Sequence, residues 1–283
     1  MLDGSGIAQV LLALDQRDGG QVCLKRAVEM TFALRAELRV IRVLPKRSRV
    51  RAWWGRGPDA REEVRGALKA TRLWLARSLG EEPPVGKVVV RCGRFVEAVS
   101  EHVRFGQPEL VVLPPFIRRV GTVATMLARR TGAKVLVAHD PGHRKAILAA
   151  TDLSNPRFPV LEEAARLGLA LEAPVTALHN VDPLGAFQRY GVDRGVARAQ
   201  LSRILGPTRL LDGVQLLPDD SSAVMRAEID PVAAILDEAR RRDVDLLVVG
   251  VHDRRPFERW LHGSVAARVI QRSDRSVLVM PMP

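Results

Sequence analysis

Residues 248–271, VVGVHDRRPFERWLHGSVAARVIQ, hold the chain's sharpest hint of chemistry. An apolar run passes through a charged loop to Gly263-Ser264, and a helical pattern follows. Gly263 has no side chain to keep an anion away from the backbone. Ser264 can cap a helix or donate to a phosphate oxygen, and a helix N-terminus favours negative charge. Phosphate binding is one reading; a simply capped helix start is the other, since Ser is a common cap in any protein. His252 stands beside this loop and reads as a loop residue rather than a general base. No Ser/His/Asp set, carboxylate pair or metal-ligand spacing accompanies it, so catalysis is not expected.

The elements that would position this loop occur twice. At an offset of 137 residues, LLALD at 11–15 falls on LAATD at 148–152. The match continues without a gap through Leu24 and Leu161, Ala27 and Ala164, and Leu34 and Leu171. It then takes the run 38–44 onto 175–181. One register step later, Val96, Ala98 and Val99 fall on Val232, Ala234 and Ile235, and PELVVLP falls on VDLLVVG. Such self-similarity marks one unit used twice. DPGHRK at 140–145 supplies the turn and charge of a seam, giving domains at 1–141 and 142–283.

Each unit alternates apolar runs with helical periodicity. The runs fall at 8–14, 38–44, 87–92, 110–113 and 134–138, then at 146–151, 175–181, 223–228, 246–249 and 276–280. Between the first two runs of each unit, Cys23, Ala27, Met30 and Leu34 match Val160, Ala164, Leu167 and Leu171 at helical spacing. Short continuous apolar strands between helices predict parallel sheets covered on both faces. Right-handed crossovers then make each unit an α/β, doubly wound, five-stranded sheet of Rossmann-like type. An apolar final strand in each unit seeks a partner at its edge, which predicts a pseudo-twofold pairing of the two units, an internal copy of a homodimer.

Composition narrows the function classes. The chain is 47% hydrophobic with only 4% aromatic residues, enough for real cores and poor for a β-sandwich. No run reaches the length of a membrane span, and the start MLDGSGIAQVLLALD has no basic residue before its apolar run, so it reads as a strand rather than a signal. Two cysteines, Cys23 and Cys92, cannot frame a disulfide scaffold, and a reducing cytoplasm is the expected compartment. Cys23 falls on the apolar helical face and reads as core filler. Trp53-Trp54 reads as interdomain packing or a partner-binding patch. The net charge of +12 would suit nucleic acid or an anionic membrane. The basic residues are scattered, however, with no recognition signature, so a solvated arginine-rich surface is expected and nucleic acid is kept as an outside reading.

In doubly wound sheets ligands bind outside the carboxyl ends of the strands, at the switch in strand order. In the second unit those ends are Thr151-Asp152, residues 180–182 and Gly250-Val251-His252-Asp253. Gly250, two residues, Asp253, nine residues, then Gly263-Ser264 resembles the G-x-x-G-x9-G-S/T signature of the universal stress protein family. ATDLS at 150–154, IDPVAAILDEA at 229–239 and SVLVMP at 276–281 are similar to that family as well. The resemblance spans both halves of the chain. It implies an adenine nucleotide alpha hydrolase-like fold and ATP, with magnesium, as ligand. Thr151 and Asp152 would then lie by adenine and ribose, with Asp152 reading equally as a helix cap. The resemblance further implies Asn180 lining the base pocket and Gly250, Gly263 and Ser264 meeting the phosphates.

Asp253 departs from the signature. A carboxylate beside a triphosphate is repulsive unless a metal ion bridges them or Arg254 and Arg255 offset it, although Asp tolerates left-handed backbone better than most residues. The first unit departs further. Its fourth strand runs into Leu113-Pro114-Pro115-Phe116, where prolines replace glycines and remove donors. No ATP is expected there. The resemblance therefore implies a cytoplasmic stress-response binding or regulatory module that takes an adenine nucleotide weakly through its C-terminal unit. A slowly hydrolysing ATP switch is the alternative, with a nucleotidyl-transferring enzyme behind it.

Overall fold

Unbroken apolar runs become the central strands, because only a strand covered on both faces can bury every side chain in turn. A computed structural model describes residues 9–15, 20–45, 60–79, 85–115, 117–140, 144–151, 159–180, 218–252 and 265–282. The chain divides into one unit of Met1–Arg118 with Met126–His139 and another of Arg119–Thr125 with Asp140–Pro283.

Among the described residues, the strands of the first unit are β1 (Gln9–Leu14), β2 (Glu37–Leu44), β3 (Val85–Cys92), β4 (Leu110–Leu113) and β5 (Lys134–Val137). Its helices are α1 (Gly20–Leu34), α2 (Ala60–Leu79) and α3 (Phe95–Gly106), together with α4 (Val120–Thr131) from Met126 onward. The strands are parallel in the order β3-β2-β1-β4-β5. Val10, Leu11, Leu12 and Ala13 of β1 and the whole of β4 are fully buried, as the middle of a two-faced sheet requires. Cys23, Ala27 and Met30 of α1 are buried, whereas Leu34 is only half-buried. The helix stops there as Arg35 turns left-handed at φ 53°, and Thr31 takes the inner position, donating to the Ala27 carbonyl at 2.7 Å. Burial pushes the Cys23 thiol up to about 12, which leaves it an inert core side chain. Gly132, at φ 73°, ends α4 in the left-handed conformation that glycine adopts without strain.

The second unit repeats the plan. Its described strands are β6 (Ile147–Thr151), β7 (Val175–Asn180), β8 (Ser222–Arg226), β9 (Leu246–His252) and β10 (Ser276–Met282). Its described helices are α5 (Pro159–Leu171), α6 (Pro231–Arg241) and α7 (Val265–Arg272). These strands too are parallel, in the order β8-β7-β6-β9-β10. Val160, Ala164, Leu167 and Leu171 face inward from α5, whose first residue is a proline that loses no hydrogen bond there.

One charge inside this unit fastens α6 to the edge of the sheet. Glu238 is fully buried on α6, and its carboxylate receives Arg226 from β8 together with Arg241 and Arg242 from the end of its own helix. Arg242 also donates to the hydroxyls of Thr176 at 3.3 Å and Ser222 at 3.2 Å, tying in β7 and the start of β8. Burial alone would raise the carboxyl's pKa. The bonds from Arg241, Arg242 and Arg226 outweigh it and hold the group at about 2.

Candidate functional site

Strand order puts the switch of the second unit at β6, which has β7 on one side and β9 on the other. Register sets the level of each strand end. Thr151 pairs with His179, and Ala150 pairs with Val249, so Gly250 is the next residue beyond. His179, Thr151 and Gly250 thus form one row across three strands at their carboxyl ends. That row is where an open α/β sheet receives a ligand.

Local contacts hold this row and the strand ends beside it. The His179 ring places Nδ1 at 2.9 Å from the main-chain oxygen of Thr151. A carbonyl can only accept, so Nδ1 carries the proton, and in the neutral ring Nε2 is left as an acceptor. Asn180, one residue further, donates its amide to the Glu228 carbonyl at 3.0 Å and accepts from the Glu228 N–H at 3.0 Å. This exchange continues the β7–β8 ladder with a side chain after β8 itself has ended. It accounts for β8 stopping at Arg226, short of the run 223–228 read from the sequence.

Gly250 was expected to open the loop, but it lies within β9. That strand continues to His252 because its neighbour continues with it, pairing Met280, Pro281 and Met282 with Gly250, Val251 and His252. A Cβ at Gly250 would lie 2.9 Å from Met282 Cγ, 3.0 Å from its Sδ and 3.2 Å from Val160 Cγ2. Packing of β9 between β10 and α5 therefore favours glycine here, independently of any ligand.

Asp152, Asp253, Gly263 and Ser264 lie outside the described residues, as do Trp53, Trp54 and the side chain of His252. Beyond them, α7 starts at Val265. This helix is anchored by Arg268, whose guanidinium donates to Asp230 at 2.9 Å, with Arg272 at 3.8 Å. Asp230 also accepts from the Val232 N–H at 3.1 Å and so caps α6, where Pro231 occupies the first turn. The sequence pattern gave no sign of roles for His179 and Arg268. An Asp-Pro pair opening an apolar helical pattern is a legible cap signal, but its ion pair across 38 residues has no local trace.

The first unit differs at the matching place. After β4 the chain reaches α4 in six residues, 114–119, whereas residues 253–264 connect β9 to α7. Among the described residues no group of three or more His, Cys, Asp and Glu side chains could hold a metal ion. Among them, too, no helix is long and apolar enough to cross a membrane.

The strand ends are level at the switch point, and α7 begins just past the Gly-Ser pair.

Comparison with known proteins bears on the fold and the family. The model of the universal stress protein family matches residues 143–281. No curated protein matches the chain. Solved structures resemble it over nearly its full length. A protein of unknown function from Pseudomonas aeruginosa PAO1 is 15% identical with a TM-score of 0.61, covering 97% of this chain and 92% of that one. A universal stress protein from Archaeoglobus fulgidus DSM 4304 is 14% identical with a TM-score of 0.64, covering 96% of each. A putative universal stress protein from Pseudomonas aeruginosa UCBPP-PA14 is 17% identical with a TM-score of 0.61, covering 97% of this chain and 93% of that one. These likenesses establish the tandem α/β fold, and the family match places the second unit, residues 143–281, in the universal stress protein family.

Proposed function

We propose that this chain is a cytoplasmic stress-response binding module, not a catalyst, which takes an adenine nucleotide weakly through its C-terminal unit. The row of His179, Thr151 and Gly250 at the switch point carries this reading, because it brings the ends of β6, β7 and β9 level. Gly263 and Ser264 follow that row in the chain and come immediately before α7, which Arg268 ties to Asp230. Backbone donors at a helix start then face the phosphates. Asp253 in place of the signature glycine keeps affinity low, since its charge opposes the phosphates unless magnesium or Arg254 and Arg255 offset it. The first unit, with six residues and two prolines between β4 and α4, takes no nucleotide and serves as scaffold.

Thermal melting in the presence of nucleotide tests this. A ligand at ten times its Kd stabilises the folded state by about 1.4 kcal/mol. ATP with magnesium is expected to raise the melting temperature with saturation near millimolar concentration, and Gly263→Leu should remove the rise. Absence of any shift, or an equal shift in Gly263→Leu, would overturn the proposal.

A further inference from the structure

We propose that the outer face of β3 and the C-terminal end of α3, in the first unit, form a binding surface for single-stranded nucleic acid. The surface joins Arg39, Lys87, Arg91 and His102 to the exposed ring of Phe105.

The register of the sheet carries the proposal. Arg39 on β2 and Lys87 on β3 are direct partners in adjacent parallel strands, and Arg91 follows on the same face of β3, opposite Val43. Like charges directly opposite one another destabilise a sheet, so folding gives no reason for this pairing. One carboxylate offsets it in part. Glu37 holds Arg39 at 2.8 Å and lies over Gly86, where any Cβ would overlap it. Lys87 and Arg91 are exposed, and among the described residues neither has an ion-pair partner.

The helix adds the remaining groups. Arg39 Nη1 and His102 Nε2 each lie 4.0 Å from the position a Cβ would take at Gly106, so both converge on the end of α3. Partial burial first, and then the charges of Arg91, Lys87 and Arg39, hold the His102 pKa below its ordinary value, as expected inside a cationic cluster. Phe105, next to Gly106, is 83% exposed, although the chain has few aromatic residues.

A cationic track beside an aromatic platform is the combination that binds single strands, with phosphates on the charges and a base on the ring. Lys87 and Arg91, four residues apart, are separated by about 13 Å along the strand. A membrane surface fits less well, because it needs an apolar helical face beside the charges. The apolar face of α3, with Ala98, Val99 and Val103, is already buried.

Fluorescence anisotropy with a labelled oligothymidylate of about 15 nucleotides tests the surface. Wild type is expected to bind at about 50 mM salt and to weaken steeply by about 200 mM. Lys87→Ala/Arg91→Ala should weaken binding at least about tenfold and make the log–log salt slope shallower by about 1.4, at about 0.7 for each phosphate no longer neutralised. Phe105→Ala should weaken it severalfold with the salt slope unchanged, because stacking releases no counterions. Arg240→Ala, which alters an exposed charge of the second unit, should bind as wild type does. Lys87→Ala should melt no lower than wild type, since it relieves the repulsion with Arg39. The proposal fails if wild type does not bind the oligonucleotide, if the Lys87/Arg91 variant binds equally well, or if vesicles rich in anionic lipid compete it away at equal charge.

Discussion

Asn180 and Glu228 are joined by two hydrogen bonds of 3.0 Å, with the side-chain amide of the first bonded to both main-chain groups of the second. The pair closes the sheet between β7 and β8 beside the proposed nucleotide site. Two partly exposed bonds at about 0.5–1.5 kcal/mol each are at stake. Asn180→Ala should therefore lower unfolding stability by about 1–2 kcal/mol in urea melts. Asn180→Asp keeps the acceptor but loses the donor, so it should fall between the alanine variant and wild type.

Gly250 answers to packing before ligand. Gly250→Ala brings a methyl group to 2.9 Å from Met282 Cγ, a flexible side chain that can yield, so a loss of about 1 kcal/mol is expected. Gly250→Val should cost about 2–3 kcal/mol, because Val160 also blocks the space. Shortening the obstacle should relieve this. The double variant Gly250→Val/Met282→Ala is expected to be more stable than the sum of its single changes, by about 1 kcal/mol in a double-mutant cycle.

Glu238 makes the second unit sensitive to acid. Its folded pKa of about 2 lies below its ordinary value of 4.5, so the stabilisation is complete above about pH 4.5 and is lost as pH falls toward 2. Glu238→Gln should therefore lose less stability than wild type across that window, as read by urea melts at successive pH values. At neutral pH the same change is expected to cost about 2–3 kcal/mol. That lies below the usual cost of breaking a buried pair, because the three arginines are 30–57% exposed and rehydrate.

The strand–helix alternation was legible because its signal is local. β4 is bounded as read, and the inward face of α5 is Val160, Ala164, Leu167 and Leu171 as the spacing predicted. Strand ends were less legible, since they depend on a neighbour. β9 reaches His252 because β10 reaches Met282, and β8 ends at Arg226 because the Asn180 amide takes over at Glu228. Contacts between residues distant in sequence left no local trace. His179 reaches Thr151 across 28 positions, and Arg268 reaches Asp230 across 38. The same holds for charge. Arg39 and Lys87 look scattered along the chain, and only the β2–β3 register puts them side by side.

Asp253 bears most directly on nucleotide binding, because it is where the chain departs from the phosphate signature. Calorimetry of wild type and Asp253→Gly with ATP and magnesium is the decisive measurement. Removing the carboxylate takes away a repulsion and frees the backbone, so the glycine variant should bind at least about tenfold more tightly than a weakly binding wild type, a gain of about 1.4 kcal/mol. Tight binding by wild type, left unchanged by Asp253→Gly, would contradict the proposed weakened site.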